Sequence, residues 1–499
     1  MMDFTWFIVG LITAIAGIGV HIAMQRYTLR WLELFGLIAG SGLILFTVPW
    51  AVGCLLEGVP RAASMGILLF GLPGLIILAT TWRLIAKLPT KEIAPKVDYA
   101  SFDTPTAKLL EPIRIKNKGK WSRPVAYIAY ALLALAFVSG FITTKTDFSS
   151  QLIKAFPDAK ISEIESKPPV FKLEYPDGKK KYATISTGQG YGGPLVIGIL
   201  VSEDGTVEKL KLLSNQETPA YKKKVEDSEF VKQFLGKKAY EDFIVGQDID
   251  AIAGATVSCV AGTEAMREGS HRIAVGQLGM TPTWTNPPWS FDIKNGLILA
   301  LFCLAFWRGL FKHKWGRYIY LGASLVIIGF YANACLSIAN IGAIPLGYIP
   351  SIKASPSWWI LTFGTLITIM ALAKNIWCNK LCPFFAMQFF LNKVSGTRIQ
   401  LSGRIAAYSQ RTASLLLWVS LLTIFLTRNP ALGSFEPFSL AFSLNGEGLQ
   451  WFLLPTSIIG AFFIPTFWCR FFCPLGHCLN KLVSMRKAVT KKYSASKEA

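Results

Sequence analysis

Two patterns in this chain set reactive side chains at spacings that chemistry can use. Trp377-Cys378-Asn379-Lys380-Leu381-Cys382-Pro383 and Trp468-Cys469-Arg470-Phe471-Phe472-Cys473-Pro474 repeat one string, Trp-Cys-x-x-x-Cys-Pro, each just after an apolar run. Cysteines at i and i+4 share a helical face, and the proline then stops or bends the helix. Brought together, Cys378, Cys382, Cys469 and Cys473 would offer four thiolates, which suits an iron–sulfur cluster or tetrahedral zinc. The second pattern is Asp250-Ala251-Ile252-Ala253-Gly254-Ala255-Thr256-Val257-Ser258. Here a hydroxyl follows a small Gly-Ala step, with an aspartate six positions before it. An accessible hydroxyl on a turn with no bulky neighbours is what a transferase needs in an acceptor, and Thr256 supplies it.

The elements that must position these groups are mostly apolar. The 499 residues are 52% apolar and 16% charged, with mean hydropathy +0.41. Those values describe a polytopic membrane protein with a soluble insert. Runs long enough to span about 30 Å of hydrocarbon fall near 4–23, 32–53, 64–85, 124–142, 294–311, 317–338, 357–376, 412–427 and 451–468, about nine helices, of which 412–427 is the shortest. The net charge of +21 sits between those runs. It therefore reads as topology and contact with anionic membrane lipid, with no nucleic-acid role. Arg26 and Arg30, nine basic residues between Lys87 and Arg123, Lys312 to Arg317, Lys393 to Arg411, and the tail from Lys481 to Lys492 all fall on one side if the N-terminus is outside. That orientation places the C-terminus and both cysteine motifs at the cytoplasmic face of the plasma membrane, and residues 143–290 outside. Structural disulfides do not persist at the cytoplasmic face. Nine cysteines are an odd number, too sparse for a disulfide framework, and Cys54, Cys259, Cys303 and Cys335 show no pairing pattern. Cys478, four residues past Pro474, reads as a packing residue, with a spare ligand as the alternative.

The insert reads as α+β. Leu195 to Val201 is a strand, Glu203-Asp204-Gly205 a hairpin turn, and Val207 to Leu213 a second strand. The run 221–235 has a helical period with Val225, Phe230 and Phe234 inward, and Gly188 to Pro194 is a glycine-rich turn. In order, Gly190-Tyr191-Gly192-Gly193-Pro194, Asp204-Gly205, Glu217-Thr218-Pro219, Gln233-Phe234, Asp248-Ile249-Asp250 and Gly254-Ala255-Thr256 resemble the FMN-binding domain family over roughly residues 165–270. That family includes subunits of ion-pumping NADH and ferredoxin oxidoreductases. Its motif Asp-x-x-(Ser/Thr)-Gly-Ala-Thr carries FMN on the last threonine through a phosphoester bond. The resemblance implies covalent FMN on Thr256, with Asp250, Gly254 and Ala255 in the motif, although Ala253 stands in the Ser/Thr slot. Glu217, Thr218 and the loop Gly190, Tyr191, Gly192 and Gly193 would lie near the flavin ring. A flavin transferase is then a maturation partner.

With an FMN domain before them, the cysteine motifs resemble the membrane flavoprotein family of the nitrous oxide reductase accessory protein. The ferredoxin-type Cys-x-x-Cys-x-x-Cys-x-x-x-Cys-Pro modules of its denitrification members do not occur in these 499 residues, so the likeness is to the form linked to reductive dehalogenases. Trp50 to Gly71, with Glu57-Gly58-Val59-Pro60-Arg61 at its turn, is similar to the three-helix membrane anchor of reductive dehalogenases. In that family an acidic outer loop holds the catalytic subunit, which makes Glu57 and Arg61 the expected docking residues, with Leu55, Leu56 and Val59 beside them.

The expected division is an anchor-like region (1–90), a basic cytoplasmic linker (91–123), a transmembrane helix (124–143) and an extracytoplasmic FMN-binding domain (144–290). A five-helix membrane domain with both cysteine motifs (291–485) and a basic cytoplasmic tail (486–499) complete it. The resemblance implies delivery of electrons from menaquinol or a cytoplasmic donor to an extracytoplasmic reductase, a corrinoid reductive dehalogenase, which the chain also anchors. The alternative is an assembly scaffold or a redox-sensing regulator for such a reductase. No catalytic residue for the terminal chemistry is assigned to this chain. No nucleotide-binding glycine motif opens a helix, and four histidines (His21, His271, His313, His477) supply no intramembrane pair for haem.

Overall fold

In a computed structural model of the protein the apolar runs form helices and the insert forms a sheet capped by one helix. The described residues are 29–88, 122–143, 160–190, 194–215, 230–250, 256–282, 291–396 and 403–498, apart from single positions within these ranges, with a few isolated positions elsewhere. In chain order the principal helices are α1 (Trp31–Leu56), α2 (Pro60–Ile85), α3 (Ser122–Thr143), α4 (Thr256–Gly276), α5 (Ile293–Leu304), α6 (Lys314–Ser324) and α7 (Pro356–Leu372). They continue as α8 (Pro383–Ser395), α9 (Gly403–Thr427), α10 (Gln450–Phe463), α11 (Phe467–Phe471) and α12 (Pro474–Glu498). Prolines at the first turns of α2, α7 and α8 have the fixed φ and the missing N–H that a helix start tolerates.

Among the described residues four helical stretches are long and apolar enough to cross a membrane: Trp31–Leu55, Pro60–Ile85, Pro124–Ile142 and Ile405–Thr427. Three further apolar helices, α5, α7 and α10, are shorter. Among the described residues not every one of the nine expected runs forms a single helix of spanning length, for local reasons. The run 357–376 turns left-handed at Ala373 (φ +50°), and 451–468 stops before Pro465. The run 317–338 is helical from Lys314, passes into a π-helical turn over Leu325–Tyr331 and breaks near Asn333 (φ +46°). The shortest expected run, 412–427, belongs instead to one of the longest helices, and most of 4–23 lies outside the described residues.

The insert is a five-stranded antiparallel meander, β1 (Lys160–Ser166), β2 (Pro169–Glu174), β3 (Lys180–Gln189), β4 (Pro194–Ser202) and β5 (Val207–Asn215), in that spatial order. The β4–β5 turn forms as expected at Asp204-Gly205, where Gly205 takes φ +81°. Hydrogen bonds from Ser202, Lys238 and Thr206 hold the Asp204 carboxyl well below the usual carboxylate range. One face of the sheet buries Phe171, Leu173, Ala183, Val196 and Leu200; the other buries Val170, Ile199 and Val201 against α4 through Cys259, Met266 and Ile273. Phe230 and Phe234 join that second core, as their spacing implied. The described end of the 221–235 run is a 3₁₀ turn, Val231–Phe234, while Val225 lies outside the described residues. The glycine-rich turn is also shorter than expected, because Gly188 and Gln189 pair in register with Leu195 and Pro194.

The chain packs as two compact units that cut across its linear order. The first comprises Met1–Asn117, Cys378–Ala413 and Glu436–Cys473. In it α2 packs against α8 and α10, the Arg83 guanidinium donates to the Lys393 carbonyl, and the Ser395 hydroxyl donates to the Phe462 carbonyl. The second comprises Lys118–Trp377, Ser414–Phe435 and Pro474–Ala499. In it the Trp418 indole N–H donates to the Ala129 carbonyl at 3.0 Å, and Cys478 packs with Ile338, Leu417 and Ile424.

Candidate functional site

Helix α4 and strand β3 run in opposite directions, and this decides what lies at one end of the insert. Ala261 backs onto Gly188, whereas the Arg272 guanidinium, further along α4, reaches the Thr184 hydroxyl (3.3 Å) and the Ile185 carbonyl (3.4 Å). The first turn of α4 therefore sits at the same end as the β3–β4 turn. Thr256 is five residues from Ala261, about 7–8 Å along a helix axis. Thr256 opens a 21-residue helix instead of lying in the middle of a turn, a correction to the sequence reading. Asp250 is exposed, and its backbone is clamped on both sides by Gln233: Oε1 accepts the Asp250 N–H at 2.7 Å and Nε2 donates to the Asp250 carbonyl at 3.2 Å. Asp250 is thus tied to the 3₁₀ turn, and Thr256 begins α4. Gly190 follows β3 directly. Tyr191, Gly192, Gly193, Glu217, Thr218, Gly254 and Ala255 lie outside the described residues.

At this end of the sheet a cavity of about 360 Å³ opens, lined by Thr187, Gly188, Gln189, Glu264, Arg267 and His271 among others. The Gln189 Oε1 is buried without a hydrogen-bond partner. Burial raises the Glu264 carboxyl above its usual range and lowers the His271 imidazole, whose Nε2–H donates to the Glu241 carbonyl at 2.8 Å. The recess is polar, with Glu264, Glu268 and Arg267 from α4 facing the end of β3 and one buried amide oxygen left without a partner.

The cysteine pairs do not lie on continuous helical faces. Cys378 is in a π-helical turn, Trp377–Leu381, and Cys382 is extended (ψ 116°) as the cap of α8. Cys469 is in α11 and Cys473 follows it. Pro383 and Pro474 start the next helices; neither ends one. The i, i+4 argument therefore fails, because each chain break falls between or at the two sulfurs. The repeat nevertheless produces one local shape twice, a short turn, a cysteine and then a proline-led helix. None of the four cysteines forms a disulfide, and all four belong to the first unit. Cys382 and Cys473 are buried. Cys469 is half-buried as a residue, but its thiol is enclosed; burial, with the Cys382 sulfur next in effect, pushes it up to about 12. Among the described residues no group of three or more His, Cys, Asp or Glu side chains stands ready to hold a metal ion.

Glu57 and Arg61 flank a tight turn with Gly58 at φ +74°, and both are exposed. Leu55 and Val59 are 42% and 45% exposed beside them, an apolar rim around the carboxylate. The Arg61 guanidinium stacks over the Trp451 ring of α10 at 5.8 Å. Sequence reasoning missed that contact, and it missed Arg83 and the buried Gln388 of α8; an amide inside Phe384-Phe385-Ala386-Met387-Gln388-Phe389-Phe390 was the available signal for the last.

Residues 4–88 match the family described as chloroethene reductive dehalogenase membrane anchor protein, residues 190–270 the FMN-binding domain, and residues 356–402 and 448–487 the 4Fe-4S binding domain. The regulatory protein NosR of Stutzerimonas stutzeri is 25% identical over 219 residues, 39% of this chain and 30% of that protein. NosR of Pseudomonas aeruginosa is 25% identical over 32% of this chain and 24% of its own length. Over these segments the chain is similar to NosR, and its matched domains are those of a membrane flavoprotein. A component of the proton-translocating ferredoxin:NAD(+) oxidoreductase complex of Clostridium ljungdahlii is 25% identical over 119 residues, 23% of this chain and 64% of that component. The aligned part spans less than a third of the NosR proteins, so the activity of those whole proteins does not transfer with the match. FMN and an iron–sulfur cluster are the cofactors of this NosR-like chain, and its N-terminal region resembles a dehalogenase anchor.

Glu264, Arg267 and Glu268 of the recess fall within the segment matched to the FMN-binding domain, and the cysteines fit a cluster as a donor set, four sulfurs with no disulfide among them. The seat of α4 on β3 is testable. A Cβ on Gly188 would lie 1.9 Å from the Ala261 carbonyl oxygen, a backbone atom that cannot swing away. Gly188→Val is expected to destabilise the domain by about 1–3 kcal/mol or more and to lower flavin content. Gly262→Ala, whose Cβ would first meet Phe230 at 3.4 Å, is expected to be tolerated. Limited proteolysis of the insert on heating, with flavin absorbance on the same samples, checks both, since residues 160–282 contain no tryptophan for fluorescence to follow.

Proposed function

We propose that this chain is the membrane electron-delivery and docking component for an extracytoplasmic reductase, with menaquinol or a cytoplasmic carrier as donor. The observation that carries this is the union, in one polypeptide, of an anchor-like segment, an FMN-binding domain and 4Fe-4S segments, with the anchor-like helix α2 packed directly on α8 and α10. FMN supplies two-electron uptake with single-electron release, and an iron–sulfur cluster supplies one-electron transfer. In this reading Thr256 carries the flavin covalently, Asp250 and the Gly190 turn border it, and Cys378, Cys382, Cys469 and Cys473 hold the cluster. The remaining expected spans complete a nine-helix topology with the FMN domain outside. A corrinoid reductive dehalogenase is the reductase class that the anchor likeness favours.

The exposed Glu57 carboxylate within its apolar rim is the docking point, able to accept charge-assisted hydrogen bonds from a basic partner surface. Arg61, held over Trp451, fixes the loop to α10. Glu57→Lys is expected to release the reductase into the soluble fraction while flavin content stays normal, measured by fractionation and immunoblotting. Retention of the reductase on membranes would reduce the first helices to a structural role. A second reading, a scaffold or redox-sensing regulator, is favoured by the description of two relatives as regulatory proteins. Electron flow from reduced quinol to the reductase in membranes of Thr256→Ala separates the two: delivery requires its loss with the partner still bound, and the regulator reading requires it unchanged.

A further inference from the structure

Gln388 joins the two cysteine segments through its side chain. It stands on α8, six residues after Cys382, and is fully buried, 0% exposed. Its Oε1 accepts the Trp468 backbone N–H at 2.9 Å. Its Nε2 donates to the Phe384 carbonyl at 3.2 Å and to the Cys469 Sγ at 3.3 Å. A primary amide has two N–H groups on one side and a carbonyl on the other. Because a backbone N–H at Trp468 must meet the oxygen, the amide cannot flip, and the nitrogen is directed at the sulfur. Phe384, in tilted and edge-on contact with Phe438, Phe442 and Trp468, is fully buried beside the amide.

We infer that Gln388 is a positioning and tuning residue for the iron–sulfur centre: it holds the Cys469 segment against the Cys382 segment and donates an N–H to the Cys469 sulfur. The inference rests on the reading that these cysteines carry the cluster. An N–H aimed at a ligand sulfur favours the state with more negative charge on that sulfur, which is the reduced state of the cluster. Hydrogen bonds to the sulfurs are one of the levers that set cluster potentials, and they count for more where water is excluded. Such a residue touches the ligand without supplying a ligand, so its signature is a changed potential at unchanged metal content.

The test uses the full-length chain, purified anaerobically in detergent, as wild type, Gln388→Met and Gln388→Glu. Methionine fills similar volume with no N–H. Glutamate keeps an oxygen for the Trp468 N–H, and its potential is read on the high-pH plateau of its titration, where the carboxyl is ionised and has no donor for the sulfur. Iron and acid-labile sulfide are measured first, then the midpoint potential by redox titration followed by electron paramagnetic resonance. The expected result is wild-type iron and sulfide with a lower potential, a shift of about tenfold in the reduced-to-oxidised ratio at fixed poise, or 59 mV for a one-electron couple. An unchanged potential in whichever variant keeps its cluster overturns the inference and leaves the cluster reading standing. Loss of the cluster from both variants, in protein that still binds flavin and elutes as wild type does, also overturns it, since Gln388 would then be purely structural. Wild-type protein without iron or sulfide sinks the cluster reading itself, and this inference with it.

Discussion

Mass spectrometry of the intact chain, coexpressed with a flavin transferase, is expected to show one covalent FMN per polypeptide, lost completely in Thr256→Ala. The physical ground is the position of Thr256 at the start of α4, a 21-residue helix whose first backbone N–H groups have no partner within the helix. A phosphoester formed there would place a negative phosphate where the helix dipole and those N–H groups favour an anion, by about 0.3–1 kcal/mol and up to about 2 when partly buried. The opposed directions of α4 and β3 would then bring the flavin to the glycine turn and the recess beside Gln189 and Glu264. Flavin fluorescence of the denatured band in a gel gives the same answer without mass data. An adduct on Ser258, one step inside the first turn, would move the assignment and keep the function; a chain with no adduct in the presence of the transferase would end the covalent reading.

Cys378→Ser and Cys469→Ser, made singly, are each expected to remove most iron, sulfide and the cluster's paramagnetic signal, while covalent flavin is retained. Serine preserves volume but offers a harder, less acidic donor that iron–sulfur clusters bind poorly. One cysteine from each string is chosen because a single shared cluster needs both strings, whereas two independent sites would lose at most half of the iron. A loss of half in each variant would therefore show two sites. Cys478→Ser is the control: Cys478 packs with Ile338, Leu417 and Ile424, and its replacement is expected to leave iron unchanged. Loading also has to draw the sulfurs together, since the described residues contain no ready group of three ligands. A change in tryptophan fluorescence on anaerobic reconstitution would report this, because Trp377 and Trp468 are fully buried beside the two strings.

Where chemistry depends on contiguous residues, this chain was legible before it was folded. The Gly254-Ala255-Thr256 string, the duplicated Trp-Cys-x-x-x-Cys-Pro, the Glu57 turn and the β4–β5 hairpin at Asp204-Gly205 each carry their meaning in residue type and spacing, and the family matches fall on the same segments. Helix length was less legible, because hydropathy reports what a segment can bury and is blind to the backbone. Left-handed Ala373 and the Ile464-Pro465 step end helices inside runs that remain apolar. Only the tertiary structure decided that α4 opposes β3, that α2 rests on α8 and α10, and that an amide on α8 reaches the Cys469 sulfur across 81 positions of sequence. Those contacts arise from close packing of Gly188 on Ala261, of Arg61 on Trp451 and of Gln388 on Trp468, between segments whose separation along the chain leaves no periodic trace for a sequence to show.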